Sequence, residues 1–170
     1  TYNRLPMLSD MLKSVRAQLH RIDYEFIIVD GGSTDGTLEW LSKQPDVTLI
    51  EHGRLRGAIR AFTDGANAAS GQYVLLANDD VTFFPYSILA AIRHLEHTPH
   101  CGAVAFADNR THRMYGGDGS QYRVEGMGAR NPDGAPHSMV AYAQVGLFRK
   151  TLGDKAGWWG ANHPVMGLAR

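Results

Sequence analysis

The run Glu25-Phe26-Ile27-Ile28-Val29 stops abruptly at Asp30-Gly31-Gly32, and this junction constrains the fold more than any other feature of the chain. A short, continuous apolar run rich in β-branched residues reads as a strand buried on both faces, and such strands belong to parallel sheets covered by helices. The glycine pair then turns the chain at once. Similar units recur on either side. Leu5, Leu8, Leu12, Val15 and Leu19 stand at helical spacing with Arg, Lys and Gln between them, which predicts an amphipathic helix. Ser33 or Thr34 is placed to cap a helix carrying Leu38, Trp40 and Leu41. Residues 47–50 read as a second strand, 57–69 as an alanine-rich helix with Gly71 as its C-terminal stop, and 72–77 as a third strand. Pro85 opens a helix with Ile88, Leu89, Ile92 and Leu95 on one face, and 102–107 is the last clear strand of the series. Alternating strands and helices with short links predict an α/β fold, a mostly parallel sheet with helices on both faces.

At 170 residues the chain fits one domain with one core. Lys and Arg together number 17, as do Asp and Glu, for a formal charge of zero. Nothing in that balance points to a nucleic-acid backbone, which selects for a basic face, so no nucleic-acid partner is expected. The single Cys101 cannot form an internal disulfide and lies beside the apolar run 102–106, where it reads as a small buried hydrophobe. A reducing, cytoplasmic setting is therefore expected. No stretch approaches the roughly 20 apolar residues of a membrane span, so any membrane contact is expected to be peripheral, at the inner face. From Asp108 to about Pro136 the chain is rich in Gly, Asp, Asn and Arg without a sustained period, which reads as a long functional excursion. Residues 138–148 look extended again, and 149–160 end on Trp158-Trp159.

Open α/β sheets bind ligands beyond the carboxyl ends of their strands. Three segments fall at such places: Thr1-Tyr2-Asn3-Arg4, Asp30-Gly31-Gly32-Ser33 and Asn78-Asp79-Asp80. With their flanks, Thr-Tyr-Asn-Arg, Ile-Ile-Val-Asp-Gly-Gly-Ser-Thr-Asp-Gly-Thr and Leu-Leu-Ala-Asn-Asp-Asp-Val resemble glycosyltransferase family 2 from Thr1 to about Phe106. Val145-Gly146-Leu147-Phe148-Arg149 resembles a later segment of that family. The resemblance implies a GT-A, Rossmann-like fold, a nucleoside-diphosphate sugar as donor, a hydroxyl acceptor (glycan, lipid-linked or small molecule) and Mg²⁺ or Mn²⁺ as cofactor. It also implies two parts of one domain: residues 1–107 as the donor-binding half, and 108–170 as the excursion and acceptor-side segment, incomplete at both ends.

A diphosphate leaving group develops negative charge as the glycosidic bond breaks, and a hard cation held by carboxylates neutralises it. By resemblance Asp80 is the metal-binding aspartate. Asn78 takes the first place of the acidic triplet, facing ribose or metal-bound water, and Asp79 completes the donor turn. Tyr2 is expected to pack against the nucleobase, with Thr1 and Arg4 nearby, and Tyr suits this task with its flat apolar face and polar tip. Asp30 is expected at the base or ribose, beside Gly31 and Ser33. Asp35 reads rather as a first-turn helix residue. Arg60, and Arg56 beside it, are read either as phosphate contacts or as solvated charges.

The family begins with an apolar strand directly before the Thr-Tyr-Asn-Arg segment, so a strand preceding Thr1 is expected. Inverting members use a late carboxylate as general base. None follows Gly157-Trp158-Trp159 here, Asp154 reads as a turn residue, and Asp108 is left as a weak candidate. His163 is read either as a late metal ligand or as a surface residue, and Trp158 and Trp159 either as acceptor-sugar contacts or as core. The leading expectation is an inverting, metal-dependent glycosyltransferase. The alternative is a nucleotide-sugar-binding module without catalytic competence in this chain. A nucleotidylyltransferase would need a glycine-rich, Arg-containing loop that is not found.

Overall fold

A computed structural model describes residues 1–106 and 145–158. Helix α1 (Leu5–Leu19) has Pro6 in its first turn and buries Leu8, Met11, Leu12, Val15 and Leu19, the apolar spacing of the sequence. The chain continues through β1 (Phe26–Asp30), α2 (Thr37–Leu41), β2 (Val47–Glu51), α3 (Ala58–Ala68), β3 (Tyr73–Leu76), α4 (Ser87–His97) and β4 (Ala103–Ala105). After the undescribed stretch come β5 (Gly146–Arg149) and α5 (Lys150–Ala156).

Strands β1 and β2 run parallel, in register from Phe26 opposite Val47 to Asp30 opposite Glu51. Alternation along β1 sends its side chains to two separate layers. Phe26 and Ile28 join Leu8, Leu12, Val15, Leu41 and Ile88 on the side of α1, α2 and α4. Ile27 and Val29 face α3, where Gly65 lets the helix approach their methyl groups closely. In β3, Val74 and Leu76 pack with Ala66 and Trp158, while Tyr73 and Leu75 pack with the cluster around Leu95 and Val104. Helices thus cover both faces, as expected, and each fully buried Leu or Ile contributes about 1.5–3 kcal/mol. Cys101 is buried, its thiol directed at the Ala103 carbonyl 3.1 Å away. No helix among the described residues is long and apolar enough to cross a membrane.

Two local expectations are corrected. Helix α2 starts at Gly36, which has φ 93°, and neither Ser33 nor Thr34 caps it; the Asp35 carboxylate instead accepts from the Thr37 amide and hydroxyl. Helix α3 ends when Ala69 turns extended (φ −64°, ψ 139°), two residues before Gly71. In the second sheet the order is β3-β5-β4, with β5 antiparallel to both neighbours, so β3 and β4 run parallel to each other with one antiparallel strand between them. A late segment returns between two earlier strands, and strand periodicity carries no information about direction or neighbour.

Thr1 adds to the sheet at the edge of β1 opposite β2. Its amino nitrogen donates to the Val29 carbonyl at 2.7 Å, and its carbonyl accepts from the Gly31 amide at 2.9 Å. Donor and acceptor flank Asp30 in the manner of a parallel ladder. The chain's first four residues therefore lie across the carboxyl end of β1.

Two charged side chains tie elements together. Arg16 forms a fork with Asp46, Nε to Oδ2 at 2.9 Å and Nη2 to Oδ1 at 2.6 Å, joining α1 to the start of β2. The Asp46 carboxyl is held below its ordinary range, first by the hydrogen bond from Arg16. Arg149 reaches the carbonyls at the end of α4 and just beyond it, donating to Leu95, to Thr98 at 3.4 Å and to Cys101 at 2.9 Å. A guanidinium suits this place because the last helical carbonyls lack intrahelical partners and carry the negative end of the dipole.

Replacing Arg149 by Ala removes the charged donor that these three carbonyls share, and we expect a loss of about 1–3 kcal/mol in urea unfolding, with Lys recovering only part; an unchanged midpoint would contradict the cap. A carboxyl with a depressed folded pKa stabilises above its unfolded value and loses that contribution as pH falls. Stability should therefore decline below about pH 4. Asp46→Asn should be less stable at neutral pH and show a flatter acid limb, measured by the same titration across pH.

Candidate functional site

The Asp30 side chain does not project into solvent. The residue is 1% exposed, and its carboxylate organises the turn that follows. Oδ1 accepts from the amides of Gly32 and Ser33 at 2.7 and 2.8 Å, and Oδ2 accepts from the Ser33 hydroxyl at 2.5 Å. A buried carboxylate needs such donors to offset its lost hydration. Ser33 Oγ in turn accepts from the Asn3 amide at 2.9 Å, and Asn3 Oδ1 accepts from the Thr34 amide at 2.7 Å. Asn3 adopts φ 50°, a left-handed conformation that Asn tolerates better than most residues. Asp35 adds a further tie through the Leu5 amide at 3.2 Å, and its carboxyl is held below the ordinary range chiefly by the Thr37 hydroxyl. Asp35 thus serves two helix starts.

Arg4 extends from this corner to the turn after β3. Its Nη1 lies 3.1 Å from Asp79 Oδ1 and 3.4 Å from Asp80 Oδ2. The Asp79 side chain is 10% exposed and that of Asp80 45%. Thr1, Tyr2, Arg4, Asp30, Gly31, Ser33, Asp79 and Asp80 are thereby gathered at one strand-end corner, with Asn78 half-buried next in chain. Tyr2 is 42% exposed there.

Arg60 is engaged elsewhere. Its Nε donates to Asp64 Oδ2 at 2.7 Å along α3, and His52 Nε2 lies 2.9 Å from the same oxygen. Arg60 holds the Asp64 carboxyl below its ordinary range, with His52 second. Arg56 is exposed. Trp158 packs into the core with Ala66, Val74 and Leu76, and its indole donates to Asp154 Oδ1 at 2.9 Å. Asp154 lies in α5, bound to Lys150 and Trp158, rather than in a turn. Asp108, Trp159 and His163 lie outside the described residues.

A loop that the motifs did not single out completes the corner. After β2, Gly53-Arg54-Leu55-Arg56-Gly57 is bracketed by glycines at φ 66° and 84°. It packs on the glycine turn so tightly that a Cβ on Gly32 would stand 2.7 Å from the Gly53 carbonyl oxygen, and one on Gly31 2.7 Å from Leu55 Cδ2. Leu55 remains 65% exposed above this contact. The signal was available: a glycine-bracketed loop at a strand's carboxyl end is where such sheets place ligands.

Mg²⁺ and Mn²⁺ favour oxygen ligands, and Mg²⁺ commonly takes only one or two carboxylates, the remainder being water and substrate phosphate. Asn78, Asp79 and Asp80 present such oxygens on one turn and fit an ion of that kind. Among the described residues no group of three or more His, Cys, Asp or Glu side chains is arranged to hold a metal, so protein ligands alone do not make a closed cage there.

Residues 1–152 match glycosyl transferase family 2. The chain is 32% identical over 97 residues to the uncharacterized glycosyltransferase YwdF of Bacillus subtilis (strain 168), covering 56% of this chain and 36% of that protein. An uncharacterized glycosyltransferase of Haemophilus influenzae (strain ATCC 51907 / DSM 11121 / KW20 / Rd) is 28% identical over 100 residues, 59% of this chain and 34% of its own length. The chain thus spans about a third of these relatives. Among solved structures, the mannosyltransferase PcManGT from Pyrobaculum calidifontis, in complex with GDP-Man and Mn²⁺, superposes with a TM-score of 0.68 at 23% identity, over 92% of this chain and 44% of that one. S. aureus TarS 1-349 in complex with UDP-GlcNAc gives 0.62 at 17% identity, over 92% and 45%. These likenesses show the fold, which is GT-A.

Gly32 and Gly36 share φ 93° but differ in surroundings, since nothing lies within 4 Å of a Cβ at Gly36. Gly36→Ala should cost only the left-handed strain, about 1 kcal/mol, whereas Gly32→Ala must also push the Gly53 backbone away. We expect the larger fall in thermal midpoint for Gly32→Ala; equal falls would contradict the close packing of turn and loop.

Proposed function

The chain belongs to glycosyl transferase family 2, and from that membership we propose that its strand-end corner binds a nucleoside-diphosphate sugar for transfer to a hydroxyl acceptor, with inversion and with a divalent cation. One observation carries this reading. Three segments distant in sequence meet through side-chain hydrogen bonds at the carboxyl end of β1, and one of them is an acidic turn.

In this proposal Asp80, the more exposed carboxylate of the turn, holds the ion, and Asn78 faces ribose or metal-bound water. The ion, Mg²⁺ or Mn²⁺, supplies neutralisation of charge on the departing diphosphate. Tyr2 offers its ring to the base, Thr1 and Gly31 line the approach with backbone groups, and Ser33, its hydroxyl engaged by Asp30 and Asn3, supports the turn. Asp30 contributes through the turn it shapes, because its oxygens already accept three hydrogen bonds. Arg60 would have to leave Asp64 to reach a phosphate. Attack by the acceptor hydroxyl from the face opposite the diphosphate gives inversion without a covalent intermediate, and it requires a base, for which Asp108 is the candidate from this sequence. His163 is the proposed additional ligand.

The test is calorimetric titration of UDP and GDP into the complete protein with and without Mn²⁺. We expect Mn²⁺ to tighten binding of one of them, and Asp80→Ala to abolish that gain, a weakening of about tenfold or more, or about 1.4 kcal/mol. An equal Mn²⁺ effect in parent and variant would remove Asp80 from the metal site. Nucleotide binding without sugar transfer to any hydroxyl acceptor would favour a binding module instead.

A further inference from the structure

Arg4 serves as the cation of the acidic turn, and its two contacts are unequal. Nη1 is 3.1 Å from Oδ1 of Asp79, whose side chain is 10% exposed, and 3.4 Å from Oδ2 of Asp80, whose side chain is 45% exposed. Charge-assisted bonds of full strength measure about 2.7–2.9 Å, so the hold on Asp80 is the looser of the two. The guanidinium is itself half exposed, on a long stem whose backbone is fixed just before α1 by the ties of Asn3 and Leu5. The side chain can swing while its anchor stays.

We propose that Arg4 is a tethered counter-cation: it offsets part of the charge of the turn while no ion is bound, gives up Asp80 to the incoming divalent ion, and keeps its hold on Asp79. The proposal rests on the donor-site reading above, since it takes Asp80 as the ion's ligand. A divalent ion on Asp80 repels a guanidinium at hydrogen-bonding distance from the same carboxylate, and the sum of charges on the turn then exceeds that of its two aspartates. An arriving diphosphate reverses this balance by adding negative charge. Arg4 therefore opposes the ion in the empty site and favours ion and diphosphate together. Ion and nucleotide are coupled, and linkage makes that coupling reciprocal. Arg4 is in this sense a positioning residue.

The experiment is a titration of free Mn²⁺, followed by its electron paramagnetic resonance signal, into the complete protein with and without UDP or GDP. Parent, Arg4→Met, Arg4→Gln, Arg4→Lys and Asp80→Ala are compared, with circular dichroism to establish that each is folded. Removing the charge should tighten binding of Mn²⁺ by itself about fivefold or more and reduce the mutual enhancement of ion and nucleotide by a similar factor. Lys should restore the parent's order. Two neutral variants guard against loss of either one. Weaker or unchanged Mn²⁺ affinity in both neutral variants would overturn the proposal and leave Arg4 a plain structural tie. Indifference of Mn²⁺ binding to Asp80→Ala would instead bring down the donor-site reading, and this inference with it.

Discussion

Everything at the carboxyl end of the first sheet depends on one buried carboxylate. Asp30 ends β1 at 1% exposure, and an ionised side chain there is tolerable only if donors replace the water it has lost. Two amides and a hydroxyl from the next three residues provide them, which fixes the course of the chain through Gly32 and Ser33. Because the Ser33 hydroxyl proton is spent on Asp30, its oxygen is free to accept from the Asn3 amide. Asn3 then holds Thr34, and the Asp30 carbonyl accepts from the His52 amide at 2.9 Å. One residue, through its carboxylate and its carbonyl, thus ties together the start of the chain, the glycine turn and the segment after β2. Such networks are cooperative, and a partly satisfied one is costly.

This arrangement separates support from contact. Asp30 and Asp35 face inward or along helix starts, and Trp158 packs in the core, whereas Tyr2, Asp80 and Leu55 stay accessible at the corner they build. A rigid inner layer with an accessible outer one is what a ligand site needs, since binding then costs little ordering of the protein. Arg4 belongs to both layers. Its backbone is held among the inner ties and its charge lies on the acidic turn.

Much of this was legible in the sequence. The spacing of Leu8, Leu12, Val15 and Leu19 reports a helix face directly, and the run before Asp30 reports a strand covered on both sides, because burial selects residue type at a fixed period. The three strand-end segments were found by the rule that such sheets bind ligands there, and they do meet. What was not legible depends on contacts across the chain. Nothing local says that β5 runs antiparallel between β3 and β4, or that Asp30 turns inward onto Ser33 rather than outward. Of the Gly53–Gly57 loop only Arg56 was read from the sequence, because the loop's importance lies in how closely Gly32 approaches the Gly53 carbonyl, a distance no motif encodes. Trp158 was equally compatible with a sugar face and with the core until Ala66, Val74 and Leu76 surrounded it.

The proposed function brings donor diphosphate and cation together at the turn after β3, beside the corner built by Asp30. A crystal structure of the complete protein with Mn²⁺ and a nucleoside diphosphate tests it most directly, because the anomalous signal of manganese locates the ion without interpretation. We expect a manganese peak about 2 Å from an Asp80 carboxylate oxygen, with diphosphate oxygens completing its coordination and the base lying against Tyr2. Manganese and nucleotide bound away from this turn, with Arg4 still on Asp80, would contradict it.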